Sequence, residues 1–212
     1  MKNTGLISCL LFFTLATLSS FTKISKLPPE KKEAVQILIV GLNDNVKSNY
    51  YYDERIAEET GMQVDSIVHH FNQIIAKNIA EAPSKSACKF VAHTDQVAMA
   101  AFAEKIELKV EGEHSSSNLS KIPAADYHKA LDQANSSYLL VINQHYLKRQ
   151  EQPMRTVFHI VSYTLYDKDQ KEVLSGNQFY TAMKLESADK MKQISRKSTA
   201  KIAASVAKSL SL

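Results

Sequence analysis

The stretch "VQILIVG" at 35–41 constrains this chain more than any other. A short, continuous, β-branched apolar run predicts a strand covered on both faces, because a half-exposed strand would alternate apolar and polar residues. Such a strand requires neighbours on both edges and packing layers above and below. The remaining sequence supplies both. Val64, Ile67, Val68, Phe71, Ile74, Ile75 and Ile79 recur at three- and four-residue spacing, which predicts an amphipathic helix ending before Pro83. "CKFVAH" reads as a second strand, Thr94 is placed to cap a helix through Ile106, and "EGEHSSSNLSK" reads as a polar loop. Pro123 suits the first turn of a helix running to about Asn135.

The period then changes from 3.6 to 2. "SYLLVINQHYLKR", "RTVFHIVSYTLY" and "EVLSGNQFYTAM" are three strands joined by short polar connections, and in the turn "DKDQ" Gln170 sits where Gly is common. The middle strand carries bulk on both faces, with Val157, Val161, Tyr163 and Leu165 on one and Phe158, Ile160 and Tyr166 on the other. Met191, Ile194, Ile202, Val206 and Leu210 mark a closing amphipathic helix. Early crossovers followed by hairpins imply an α/β (α+β-like) single domain over 35–212. Its expected core is a mixed five-stranded sheet with amphipathic helices in the order β-α-β-α-α-β-β-β-α.

The first 22 residues have the order of a signal peptide: Lys2, an apolar run from Gly5 to Leu18, then small residues at Thr17, Ser19 and Ser20. The run is shorter than the roughly 20 apolar residues of a spanning helix. Lys23, Lys26, Lys31 and Lys32 on its far side weaken the orientation signal. Leu6-Ile7-Ser8-Cys9 has the composition of a lipoprotein box, but most of the apolar run follows Cys9. The expectation is cleavage near residues 19–25, a linker over 23–34 with Pro28-Pro29, and a periplasmic or secreted domain. Membrane attachment is expected only if the segment is retained or Cys9 is lipidated.

Removal of that segment leaves Cys88 as the one cysteine, so stability must come from packing and not from an internal disulfide. The 26 Lys and Arg against 22 Asp and Glu give a mild excess gathered between Lys184 and Lys208, which fits a solvated helix face and argues against nucleic-acid binding. Chemistry-bearing patterns are sparse. Cys88 and His93, five apart on a strand, point to opposite faces. Five glycines supply no Walker loop, dinucleotide fingerprint or Gly-x-Ser-x-Gly elbow. His69 and His70 are adjacent on a helix and diverge by about 100°. His128 and Asp132 share a helix face without a third ligand. Asp53-Glu54 and Glu58-Glu59 are sequential pairs, which do not make the opposed carboxylates of acid–base chemistry. Neither an enzyme, a cofactor nor a metal site is expected.

"ALDQANSSYLLVINQHYL" followed by "FHIVSYTLYDKDQKEVLSGNQFY" resembles the periplasmic α/β domain shared by CsgG, the amino-terminal domain of TolB, and LpoB. The resemblance covers most of 35–210 and lies in element order. This chain has Asn135-Ser136-Ser137 where that group often has Gly-Ala-Asp, and Gly41-Leu42 where it commonly has Pro-Phe. No alternating pair long enough for membrane-spanning hairpins is present. The resemblance implies a non-enzymatic binding or assembly domain in the cell envelope of a Gram-negative bacterium, with an envelope protein as partner. The alternative is a small-ligand or lipid-binding domain, which a deep apolar pocket with converging polar groups would favour. A flat patch rich in Tyr and Arg would favour the protein partner.

Two sets of residues stand out as sites. The segment "NYYYDER" leaves the carboxyl end of the first strand, where α/β sheets place binding sites. Tyr50, Tyr51, Tyr52 and Arg55 have the composition of an interface hot spot. The competing reading is a loop that folds its tyrosines onto the sheet edge, with Asp53 and Glu54 suiting the approach to a helix N-terminus and Ile56 anchoring a short helical turn before Gly61. The second set follows from a hairpin turning around 150–154: positions summing to about 304 then face each other, placing His145 opposite His159 with Gln178 next along the following strand. That row reads as a polar seam near a helix-covered surface, or more sharply as a two-histidine metal site. Mass spectrometry of the chain expressed in a Gram-negative host is expected to find an amino terminus between residues 19 and 25. An intact Met1, or a lipid mass on Cys9, would overturn the export reading.

Overall fold

The computed structural model describes residues 34–83, 88–92 and 96–210. The expected signal peptide, nearly all of the linker, Cys9, His93 and Thr94 lie outside these residues. The first strand, β1 (Val35–Gly41), is followed by a short β2 (Val46–Ser48), by α1 (Asp53–Thr60), which extends the short turn expected before Gly61 to eight residues, by a 3₁₀ turn over Val64–Ser66 and by the long α2 (Ile67–Ala80). Next come β3 (Cys88–Ala92), α3 (Gln96–Ala103), β4 (Glu107–Glu111), β5 (His114–Asn118) and α4 (Ala124–Gln133). The chain closes with β6 (Tyr138–Gln150), β7 (Thr156–Tyr166), β8 (Glu172–Ala182) and α5 (Ala188–Ser209).

The main sheet runs β3-β1-β6-β7-β8, with β2 pairing to β6. It is mixed as expected: β3, β1 and β6 are parallel, and β6, β7 and β8 are antiparallel. Six strands take part instead of five, because β2 adds a three-residue parallel rung on β6. β1 is central, and Ile37, Leu38, Ile39 and Val40 are all buried. Strand alternation splits them between two cores. Ile37 and Ile39 meet Ile75 and Ile79 of α2 and Ile202 and Val206 of α5. Leu38 and Val40 meet Phe102 of α3 and Tyr127 and Leu131 of α4. A third cluster, with Val46, Tyr51, Ile56, Phe71, Leu147 and Val157, packs α1 and the start of α2 over the far end of β6 and β7.

Residues 111–121 are not a loop. "HSSSN" is the second strand of a hairpin with β4, turning at Gly112 with φ +66°. Its serines lie against polar residues of the main sheet. Ser115 Oγ donates to Gln144 Oε1 at 3.2 Å, Asn143 Nδ2 donates to the Ser115 carbonyl at 3.0 Å, and the Tyr166 hydroxyl donates to the Ser117 carbonyl at 2.7 Å. A strand whose interior contacts are hydrogen bonds carries no apolar period, so the sequence reads as a loop.

The register of β6 with β7 also differs from expectation. His145 faces Val161, and His159 faces Leu147. The displacement is two residues, so the direct His145–His159 pairing is wrong. Strand β6 continues to Gln150, Arg155 belongs to the connection, and the turn is centred one residue later than the sequence suggested. A bulge at Asn143 then shifts the phase of β6. Asn143 and Gln144 both face the hairpin, while Ile142 and His145 both face α2 and α5.

Beyond β1 the chain is locked by one side chain. Asn72 Nδ2 donates to the Leu42 carbonyl at 3.0 Å, and its Oδ1 accepts from Asn45 Nδ2 at 2.9 Å and His145 Nε2 at 3.2 Å. Its amide lies so close to Gly41 that a Cβ there would overlap Asn72 Cγ. Gly41→Ala is therefore expected to cost about 2 kcal/mol, by overpacking and by displacing the Asn72 amide from its hydrogen bonds to Leu42, Asn45 and His145. Urea denaturation tests it, and a loss below ~0.5 kcal/mol would show that Asn72 moves aside freely.

Candidate functional site

The tyrosine segment is built by one hydroxyl and one amide. Ser48 Oγ donates to the Leu147 carbonyl at 2.6 Å and accepts from the backbone N–H of Tyr50 (3.0 Å) and Tyr51 (2.9 Å). Asn49 clamps the end of β6 in both directions. Its Nδ2 donates to the Arg149 carbonyl at 3.2 Å and its Oδ1 accepts from the Arg149 N–H at 2.8 Å. Asp53 and Glu54 then open α1, where acidic side chains suit the helix dipole, and Gly61 ends it with φ +75°.

This geometry divides the three tyrosines. Tyr51 is buried in the third cluster, and burial raises its hydroxyl pKa. Tyr52 is 61% exposed and Tyr50 is 45% exposed, with the Tyr50 ring edge-on to Tyr51 at 5.1 Å. Two guanidinium groups lie against the Tyr50 ring: Arg149 at 3.9 Å from the centroid and Arg55 at 5.1 Å. Each arginine is balanced by a carboxylate, Arg55 by Glu59 at 3.0 Å and Arg149 by Glu151 at 2.6 Å. Cation–π contacts of this kind contribute about 0.5–2 kcal/mol, more as the cation is desolvated. The Arg149 side chain is only 10% exposed. The sequence pointed to Arg55 but missed Arg149, which joins Tyr50 only through the β2–β6 pairing across about a hundred residues.

The polar row is redistributed. His145, Val161 and Gln178 form one cross-strand row, and Leu147, His159 and Tyr180 form the next. Both histidines are 2% exposed, beneath Phe71 of α2. His145 has Asn72 as a partner. His159 has none among the described residues: it lies parallel to Tyr180 at 4.5 Å, and neither ring nitrogen is hydrogen-bonded to them. Burial pushes both imidazoles down from 6.5 to about 3, so both are neutral. Among the described residues no three His, Cys, Asp or Glu side chains converge as metal ligands. Cys88 is buried beneath α2 in the first core.

No protein-family model matches the sequence, and no curated protein does. Among solved structures, a PelC dodecamer from Paraburkholderia phytofirmans matches at 8% identity and a TM-score of 0.40, covering 82% of this chain and 88% of that one. A hypothetical protein from Chlamydia trachomatis matches at 9% identity and a TM-score of 0.43, covering 81% and 95%. The LpoB C-terminal domain from Salmonella enterica, from one of the groups whose element order the sequence resembles, matches at 10% identity and a TM-score of 0.31, covering 69% and 82%. The likeness is partial, and it concerns the fold alone.

A buried neutral imidazole makes folding sensitive to acid. With the folded-state pKa near 3 and the unfolded value near 6.5, only the unfolded chain takes up the proton between those values. Stability is therefore full above about pH 6.5 and falls as pH drops, by ~1.4 kcal/mol per pH unit for each histidine. His159→Phe is expected to stabilise the protein by ~1 kcal/mol at pH 7, since it removes two unpaired polar atoms. Its advantage should widen by ~1.4 kcal/mol per unit below pH 6.5. Denaturant titrations at pH 7, 6 and 5 measure this, and a constant difference across the series would contradict it.

Proposed function

We propose that this chain is a non-catalytic envelope protein that binds another envelope protein through the surface centred on Tyr50, Tyr52, Arg55 and Arg149. The observation that carries the reading is the Tyr50 ring, exposed to solvent yet held against two arginines. Tyrosine and arginine dominate interface hot spots because each offers large contact area with a polar end. Exposed Met154, on the connection after β6, extends the composition typical of interface cores. Tyr51 belongs to the packing beneath and not to the surface. The signal-like order of the first 22 residues supports the envelope location.

Site-specific photocrosslinking in a Gram-negative envelope tests the reading. A benzophenone side chain in place of Tyr52 is expected to capture one protein species, and the same group at Val173, on the edge strand β8, is not. Tyr50→Ala or Arg149→Ala should weaken capture by an amount matching ~2 kcal/mol, roughly thirtyfold in affinity, with the circular dichroism spectrum unchanged. Equal capture from both positions, or capture indifferent to Tyr50, would reduce the segment to a loop.

A further inference from the structure

The positive charge of this chain is concentrated on one element. α5 carries Lys190, Lys192, Arg196, Lys197, Lys201 and Lys208 against the single acid Asp189, a net +5. The whole chain is +4, so everything outside α5 nets −1 (4 − 5). These cations do not share one role. Lys192 reaches Glu81 of α2 at 3.9 Å. Lys190, Lys197, Lys201 and Lys208 are all exposed and form no ion pair among the described residues. Spacings of seven, four and seven residues set them in one line along the helix, roughly 27 Å from first to last. Asp189 diverges from that line by about 100°. The helix beneath is fixed on both flanks. Ser198 Oγ donates to the Phe179 carbonyl of β8 at 2.6 Å, and Asn78 Nδ2 of α2 donates to the Lys192 carbonyl and to Ser195 Oγ, each at 2.8 Å.

Composition narrows the partner. Other exposed lysines are interleaved with acids: Lys168 lies between Asp167 and Asp169, Lys171 beside Glu172, Lys109 between Glu107 and Glu111, and Lys129 between Asp126 and Asp132. Such charges of alternating sign largely cancel within a Debye length of about 8 Å. The α5 line does not cancel. Exposed Gln193 and Ala204 beside it add neither an acid nor a large apolar group. Protein interfaces are depleted in lysine and enriched in aromatic residues and arginine, and α5 has no aromatic residue. The same lack removes the stacking groups that accompany basic residues in single-strand nucleic-acid grooves. A straight row of flexible ammonium groups instead fits a plane of anionic headgroups, which offers charge along its whole length and demands no register. With no large apolar side chain on the row, contact is electrostatic and stays at the surface.

We infer that α5 lays Lys190, Lys197, Lys201 and Lys208 on a bilayer of anionic phospholipid. Flotation of the full chain with phosphatidylcholine vesicles, with and without phosphatidylglycerol, tests it. At low salt the anionic vesicles should bind at least ~10-fold more tightly than the neutral ones, and near-molar salt, where the Debye length is about 3 Å, should abolish the difference. Each lysine beside an anionic surface strengthens binding roughly fivefold, so replacing all four lysines with Gln should weaken it at least ~50-fold. Replacing Lys109, Lys129, Lys168 and Lys171 with Gln removes the same net charge and should cost less than ~3-fold. All eight side chains are exposed, so both variants should keep the thermal midpoint within a few degrees. The apolar amino-terminal segment is common to every variant, and its own insertion would show on neutral vesicles as well. Equal binding to both vesicle types, binding unchanged by salt, or equal losses in the two variants would overturn the assignment. So would no binding to the anionic vesicles, including the case where duplex DNA is retained in their place.

Discussion

Everything in this fold depends on burying β1 from both sides. Ile37 and Leu38 are each 0% exposed, and as neighbours on a strand they point in opposite directions. One layer of helices cannot cover both. The crossover after β1 therefore returns through α2 on one face to β3, and the chain then passes along the other face through α3 and α4 to reach β6 on β1's opposite edge. Two separate cores follow from one seven-residue strand. The order of the sheet follows too, because a strand that is parallel to both neighbours needs a long connection on each side.

The second organising device is polar. Asn143 and Gln144 are buried at 0% and 1%, as is Ser162 at 0% on the facing strand. Buried amides and hydroxyls are tolerated only when paired. The partners come from β5: Ser115 contacts Gln144, Ser162 and Asn143, and Ser117 contacts Tyr166. The β4–β5 hairpin is thus seated by hydrogen-bond geometry and not by apolar area, which fixes its position more narrowly than a greasy contact would. Not every buried polar atom is paired: Asn45, Asn78 and Asn143 each leave Oδ1, and His159 both ring nitrogens, without a partner among the described residues. The two nitrogens of His159 sit between Phe71 and Tyr180, where an apolar ring would pack as well without the desolvation cost.

Legibility in the sequence tracked the physical origin of each element. α2, α5 and the three long strands announce themselves because burial imposes a period on their side chains, β1 because burial on both faces leaves an unbroken apolar run, and the mixed single-domain sheet was readable from them. β2 was not, and α1 was readable only as a short turn before Gly61. "VKS" is too short to show a period, and "DERIAEET" buries only Ile56 and Thr60. The hairpin strand "HSSSN" hid for the reason given by its serines. Register failed through a turn centred one residue late, which shifts the pairing by two without altering composition; the bulge at Asn143 changes the offset only beyond it. At the tyrosine segment the sequence names the residue types but not their arrangement. Adjacent Tyr50 and Tyr51 look alike in the chain, yet the Ser48 turn sends one into the core and leaves the other outside.

That division bears on the proposed recognition surface, which has to be exposed and yet ordered before a partner arrives. Fixing a free, rotamer-rich side chain at an interface costs about 0.5–1.5 kcal/mol, a loss avoided when the side chain is held beforehand. Here Tyr51 anchors the backbone from below, Asn49 ties it to β6, and the Arg149 guanidinium, itself held by Glu151, lies against the Tyr50 ring. The rigid part of the sheet thus reaches the surface at Tyr50. An exposed loop tyrosine without these restraints would be a weak basis for recognition. One restrained by a buried neighbour, a backbone clamp and a nearly buried arginine already has much of its ordering complete.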